Sequence, residues 1–334
     1  MAARPKGVAA MASHNAHHLR SFHPASPVPQ RPMLALGMRL ASAFLFSLLL
    51  LLVKLTSDRG LWLPETLVWR QIVPGVVLFG WLGARGQWHR LRTARPWLHA
   101  QRAVIGAVAM TLVLGVVLLL PLAEATVLGF TAPIFAVILS VTVLHEKVGV
   151  WRIGAVLLGL AGVLIMANPH NSHLPIAGLA VGISAAFMVA IVSIQLRDLG
   201  RTEEPVTIVF YFSAMSVPLL ALLLPFVPAG YDRPFHHDET SWLMIAGIGA
   251  LGLVSQLLQT ASLRYGRVSS VIVMDYAQFG WSTLWGWLVF AHLPPASTWF
   301  GAPAIIASGV IIAWREHVRS ARIAAAAASD AWAG

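Results

Sequence analysis

The chain has no cysteine, which excludes a disulfide framework, a thiolate zinc site and an iron–sulfur cluster. It is almost as poor in charge. Asp, Glu, Lys and Arg make up 11% of its 334 residues, against about 25% in ordinary soluble domains. A chain with so little charge cannot cover a water-facing surface. No GxxxxGK[ST] run is present, so a P-loop ATPase is excluded. GIGALG at 247–252 matches GxGxxG but lies inside an apolar run, with no strand before it and no acidic ribose ligand after it. HEKVG at 145–149 lacks the second histidine of HExxH. The chain is expected to need no cofactor and no metal.

What the chain does have is oil. Hydrophobic residues make up 57%, and the mean hydropathy is +0.74. A membrane-spanning helix needs about 20 apolar residues. Ten such runs are legible, at 34–53, 66–84, 98–119, 122–143, 152–168, 175–195, 206–228, 241–262, 268–290 and 297–314. Their connections are short and leave no room for a soluble domain. Residues 1–32 form a basic tail without the apolar core of a signal peptide, and composition predicts disorder there.

The net charge of +10 has a topological explanation. With the N-terminal tail placed inside, 17 of the 23 Lys and Arg fall on the inner side. Only Lys54, Arg59 and Arg233 fall outside, while Arg39, Arg70 and Arg102 lie within or at the ends of spans. This positive-inside bias predicts an even number of spans with both termini cytoplasmic. It also removes the argument for a nucleic-acid partner. Arginine outnumbers lysine 20 to 3, the bias of a GC-rich genome, which points to a bacterial inner membrane.

Two stretches of the chain resemble each other. PLAEATVLGFTAPIFAVILSVTVLHE (121–146) is followed by WRIGAVLLGLAGVLIM (151–166). GRVSSVIVMDYAQFGWSTLWGWLVFAH (266–292) is followed by TWFGAPAIIASGVIIAW (298–314). Each is a long span, a short hinge, and a span rich in small residues. Glu146 and His292 hold the same hinge position. Five spans per half is an odd number, so the second half enters with opposite topology. Inverted repeats of this kind mark secondary transporters, which bind substrate near the midplane between the halves.

The pattern resembles the EamA module of the drug/metabolite transporter superfamily. The residues that carry the resemblance are Arg70-Gln71, Arg102, Pro121 to Ala125, Ala132-Pro133, Leu144 to Glu146, Gly154 and Gly162-Val163. In the second half they are Ala261, Leu263, Tyr265 and Gly301 through Arg315-Glu316. The resemblance implies an all-α membrane protein of ten transmembrane helices, in two inverted five-helix repeats around a central cavity. The repeats would span 33–170 and 174–316, with a cytoplasmic tail at 317–334. One departure stands out: the family's usual second-hinge glutamate is His292 here.

Asp275 is the candidate cavity carboxylate. It lies about 10 Å into span nine, where an acidic residue is costly and should face the bundle interior or water. Gln278, Ser282 and Trp285 follow on roughly its helical face, and Tyr276 is a candidate cavity aromatic. Gln256 and Gln259 on span eight reach a similar depth. The competing reading is a hydrogen-bonded cluster that only joins helices. Arg70 and Glu124 sit at one level near the outer ends of spans two and four, as an ion pair or a gate. Arg102 either joins that set or snorkels to the inner surface. Pro133 should kink span four, and Gly178 and Gly182 form a small-residue packing face.

These features predict a secondary transporter of a small polar or amphipathic metabolite, exporter or importer, working by alternating access. Its partners are membrane lipid, the substrate, and a coupling proton or counter-substrate. The embedded charges suggest a zwitterion or a cation-bearing compound. The competing classes are a passive channel, a structural membrane protein and, with the weakest support, an intramembrane enzyme. Oligomeric state does not follow from the sequence.

Overall fold

The computed structural model describes residues 31–142, 149–167, 174–200, 202–265 and 273–333. Among them every regular element is helical. The helices are α1 (Pro32–Asp58), α2 (Leu63–Ala84), α3 (Pro96–Leu119), α4 (Leu122–Gly129), α5 (Ala132–Thr142) and α6 (Val150–Ala167). They continue with α7 (Ile176–Leu199), α8 (Pro205–Ala221), α9 (Glu239–Tyr265), α10 (Ala277–Phe290) and α11 (Ala296–Ala333). Eight segments are long and apolar enough to cross a membrane, with Leu122–Thr142 taken as one; α8 is a shorter apolar helix.

Proline explains several boundaries. Pro32, Pro64, Pro96 and Pro205 open α1, α2, α3 and α8 within the first two helical positions, where a missing N–H costs nothing. Where a run to 228 was expected, α8 stops at Ala221 and a 3-10 turn over Leu224–Phe226 follows. Pro225 and Pro228 cannot continue the helix. At the other extreme, α11 runs through the expected tail to Ala333, because its alanine-rich end has the best helix propensity.

The fourth span is broken. α4 ends at Gly129, and α5 starts at Ala132 with Pro133 as its second residue. Proline at that position has no N–H to return to the Gly129 carbonyl, so the break falls just before it. A 3-10 turn over Val273–Tyr276 likewise precedes α10.

Packing is close where side chains are small. α1 lies along α9 and α10, α2 along α8 and α9, α3 along α7 and α8, and α6 along α11. A Cβ on Gly162 of α6 would lie 2.8 Å from the Gly301 carbonyl of α11. Ser308 Oγ of α11 donates to the Ala155 carbonyl of α6 at 2.6 Å. Gly182 packs against Leu128, and Gly178 against Leu120. Helices in lipid associate through such close approach rather than through hydrophobic burial.

The two ends of the bundle are fastened differently. At the Asp58 end, Lys54 Nζ donates to the Val117 and Leu120 carbonyls at 2.7 and 3.1 Å. A cation there satisfies the unpaired carbonyls at the C-terminus of α3. The 228–238 connection folds over the same end, with Phe235 N–H donating to Glu65 Oε1 at 3.0 Å and His237 Nε2 3.0 Å from Glu65 Oε2. It ends at Asp238, whose carboxylate lies below its ordinary range, chiefly through hydrogen bonding to Ser241 in the first turn of α9. At the Pro32 end, polar contacts join the α2–α3 and α7–α8 connections. Arg95 pairs with Asp198 at 2.6 Å, Thr93 donates to Glu203 at 2.6 Å, and Tyr211 donates to the Leu91 carbonyl at 2.8 Å.

Candidate functional site

Asp275 sits in the 3-10 turn that leads into α10, and its partner comes from α1. Arg39 Nε donates to Asp275 Oδ1 at 2.5 Å, and a terminal guanidinium nitrogen donates to Oδ2. This is a bidentate pair, the strongest geometry available to these groups. The other guanidinium nitrogen donates to the Gln259 backbone carbonyl at 3.3 Å, tying α9 into the same cluster. The expected support for Asp275 from the Gln256 and Gln278 side chains is replaced by this arginine. Gln259 takes part through its backbone, while its side chain is exposed. Arg39 lies seven residues into α1, and a carboxylate at that depth is the only described group that neutralises it.

Farther along the same interface the polarity is milder. Trp285 Nε1 donates to Ser47 Oγ at 3.0 Å, and Ser42 Oγ donates to the Ser255 carbonyl at 2.8 Å. Phe44 meets Trp281 edge to face at 5.1 Å. Ser282 is fully buried and shares a hydrogen bond with Thr126 of α4 at 2.8 Å. Tyr276 meets Phe130, at the α4–α5 break, edge to face at 4.9 Å. Asp275, Tyr276, Ser282 and Trp285 therefore all face other helices, between α1 and the broken span.

The expected pairing of Arg70 with Glu124 is absent among the described contacts. Glu124 is fully buried and turns toward the α10–α11 connection. Its Oε1 accepts from Thr298 Oγ1 at 3.4 Å and lies 3.8 Å from His292 Nε2. Arg70 turns instead to Met110 of α3 and lies along Gly252 of α9, where a Cβ would sit 3.4 Å from its Nε. The glycine gives the guanidinium room to run sideways between helices rather than toward Glu124.

Arg102 does not snorkel. It is 6% exposed and stacks over the Phe212 ring of α8 at 4.3 Å. It folds back over Gly106 of its own helix, where a Cβ would collide with it. His292, expected to take the second-hinge role, is 44% exposed and reaches Glu124. Glu146 lies outside the described residues.

Three participants went unpredicted: Arg39 as the partner of Asp275, His292 as the partner of Glu124, and the buried Glu65–His237 pair. For Arg39 the signal was present. It is a lone arginine about 10 Å into the first span, matching the depth of the lone deep carboxylate. The other two depend on connections whose course no periodicity encodes.

A family model described as the EamA-like transporter family matches residues 33–168 and again 176–314. The riboflavin transporter of Vibrio cholerae is 30% identical over 249 residues, covering 74% of this chain and 81% of that protein. The pseudopaline exporter CntI of Pseudomonas aeruginosa is 26% identical over 211 residues, covering 63% and 70%. Mouse solute carrier family 35 member G1 is 26% identical, covering 83% and 77%. A solved crystal structure with a TM-score of 0.57 covers 84% of this chain and 96% of its own at 20% identity, a likeness of fold alone. With eight helical segments among the described residues able to cross a membrane, these likenesses make the chain an integral multi-pass membrane protein.

Proposed function

The chain belongs to the EamA-like transporter family, and from that membership we propose that it is a secondary transporter moving a small polar or amphipathic metabolite by alternating access. The observation that carries the mechanism is the position of two polar contacts, one an ion pair, made by the α10 region. Arg39–Asp275 lies toward the Pro32 end, at the start of the α10 span. Glu124–His292 lies toward the Asp58 end, where α10 gives way to α11. Each joins the α10 region to the first half of the chain. Opening one while the other stays closed exposes the interior to one side at a time.

The two family matches, 33–168 and 176–314, support a reading of ten spans in two inverted repeats. In that reading α4 and α5 are one broken span, α8 is a short span, and α10 is the second half of another. Broken spans are tolerated at membrane depth only beside packed protein or a cavity. Both termini lie in the cytoplasm of a bacterial cell, as the distribution of arginine supports. C-terminal alkaline phosphatase and green fluorescent protein fusions test the topology. Fluorescence without phosphatase activity is expected, and strong phosphatase activity overturns it.

Transport is tested by reconstituting purified protein into liposomes and measuring uptake and exchange across a metabolite panel. Riboflavin and pseudopaline come first, because similar proteins carry those names. Saturable flux with exchange acceleration is expected. Flux that rises linearly with concentration identifies a channel instead.

A further inference from the structure

Summing the charges of the interior gives a result opposite to a cation site. Asp275 is neutralised by Arg39, and Glu124 faces His292. Arg70 and Arg102 are left over. They are 7% and 6% exposed, and neither has a carboxylate partner among the described residues. Every other described ion pair lies in a connection or at a helix end. Arg70 Nε, and both Nε and a terminal nitrogen of Arg102, are buried without a hydrogen-bond acceptor. Unneutralised cations within a spanning bundle are costly and mark substrate pathways.

Neutral polar groups lie on the same helices or on the helix that faces them. Gln71, beside Arg70, is fully buried, and both of its amide atoms lack partners. Ser213 and Ser216 on α8 are also fully buried, and neither hydroxyl has a partner. Ser213 adjoins Phe212, the ring under Arg102, and lies close to Gly75 on α2. Gln71 and Ser213 border an open surface groove of about 380 Å³ between α2 and α8, whose other walls are apolar and include the half-exposed Phe79. The group is donor-rich and positively charged, and two of its members, Gln71 and Ser213, border the apolar groove. Buried polar atoms without protein partners are satisfied by water, an ion or a ligand.

We propose that the track formed by Arg70, Gln71, Ser213 and Arg102 carries the anionic group of the transported substrate, one arginine at a time, and that the substrate is an amphipathic organic anion whose apolar part occupies the α2–α8 groove. Guanidinium groups suit carboxylate and phosphate equally, through paired N–H donors. Met110 and Arg102 are eight residues apart on α3, so the two arginine levels differ by about 12 Å. An anion entering from either end meets one arginine first and is handed toward the other past Gln71 and the two serines. Membrane lipid is the other source of anionic groups. Each arginine, however, lies six or seven residues inside its helix, about 10 Å from the end, below the level at which headgroup phosphates sit.

The inference rests on the transporter reading, so its test is made on binding, which is scored whether or not flux is seen. Full-length protein in neutral detergent is titrated with matched pairs differing only in charge: riboflavin 5′-phosphate against riboflavin, and indole-3-acetate against indole-3-acetamide. Thermal stabilisation and calorimetry are the readouts. At least one anion is expected to bind tenfold or more tightly than its neutral twin. Arg70→Gln and Arg102→Gln should each remove most of that preference while leaving the neutral twin's affinity within about twofold, and Arg70→Lys should retain part of it. The same titration in nanodiscs of phosphatidylcholine, with and without phosphatidylglycerol, separates the sources. Unchanged anion affinity supports a substrate site, and strong competition by phosphatidylglycerol assigns the arginines to lipid and overturns the proposal. Equal binding of, or equal indifference to, the two members of every pair also overturns it. So does an anion preference that survives in the Arg70→Gln/Arg102→Gln protein.

Discussion

Phe130 and Tyr276 meet edge to face with their ring centroids 4.9 Å apart, Phe130 at the α4–α5 break and Tyr276 in the 3-10 turn that leads into α10. The register that sets Glu146 against His292 also sets Phe130 against Tyr276. Under the two-repeat reading, these equivalent residues touch where the symmetry axis crosses the bundle. A hinge shared by both halves is the natural pivot for alternating access.

The contact between Phe130 and Tyr276 has a neighbour on α11. The Tyr276 hydroxyl points at Gly309 of α11, where a Cβ would overlap it and would lie 3.0 Å from the ring carbon that bears the oxygen. Gly309→Ala is expected to destabilise the protein by about 1–3 kcal/mol through overpacking. Tyr276→Phe removes the overlapping oxygen and should restore part of the loss. A double-mutant cycle on unfolding midpoints in detergent checks this. Additive effects would show that the hydroxyl is not what the new methyl meets.

Ten apolar runs were read from the sequence, and the described residues hold eight helical segments able to span and one shorter apolar helix, because lipid demands long apolar helices and proline punctuates them. Asp275 was legible as a deep carboxylate, and the clustering of arginine at one end was plain. Which side chain answers which was not. Span-depth arithmetic gives a residue's level but not its azimuth, and at any level several helices compete for the partner. Arg70 illustrates this: level alone matched it to Glu124, while Gly252 and Met110 decide where it points. Arg102 reads as a snorkelling residue until Gly106 and Phe212 are seen to hold it inside.

His292→Glu tests the contact with Glu124. On sequence grounds this change restores the family's hinge residue and looks harmless. With His292 Nε2 3.8 Å from Glu124 Oε1, it sets two carboxylates against each other instead. Like charges at that distance force one carboxylate to take up a proton. The variant is expected to melt lower than the parent near neutral pH. Its midpoint should rise as pH falls from about 8 to about 5, since protonating either carboxylate relieves the repulsion. His292→Gln keeps a neutral donor and should cost little. A His292→Glu protein with a parental melting point and flat pH response would remove the contact from the mechanism.

Arg39 and Asp275 make the sharpest prediction. Neutralising a lone buried carboxylate would ease insertion, but a paired one leaves its partner stranded. Asp275→Asn is therefore expected to lower yield and melting point, because the Arg39 charge is left uncompensated. The cost should be about 1–3 kcal/mol, below the 3–5 kcal/mol of a fully buried pair, because the Asp275 side chain is 27% exposed. Arg39→Gln should behave similarly. The double variant Arg39→Gln/Asp275→Asn removes both charges and should recover most of the stability. Transport separates latch from brace. If the pair is a gate that must form and break, the double variant stays at least tenfold slower in proteoliposomes although it is well folded. Normal transport by the double variant would make the pair a brace between α1 and α10. A double variant no more stable than either single would mean that the two residues do not neutralise each other in the membrane.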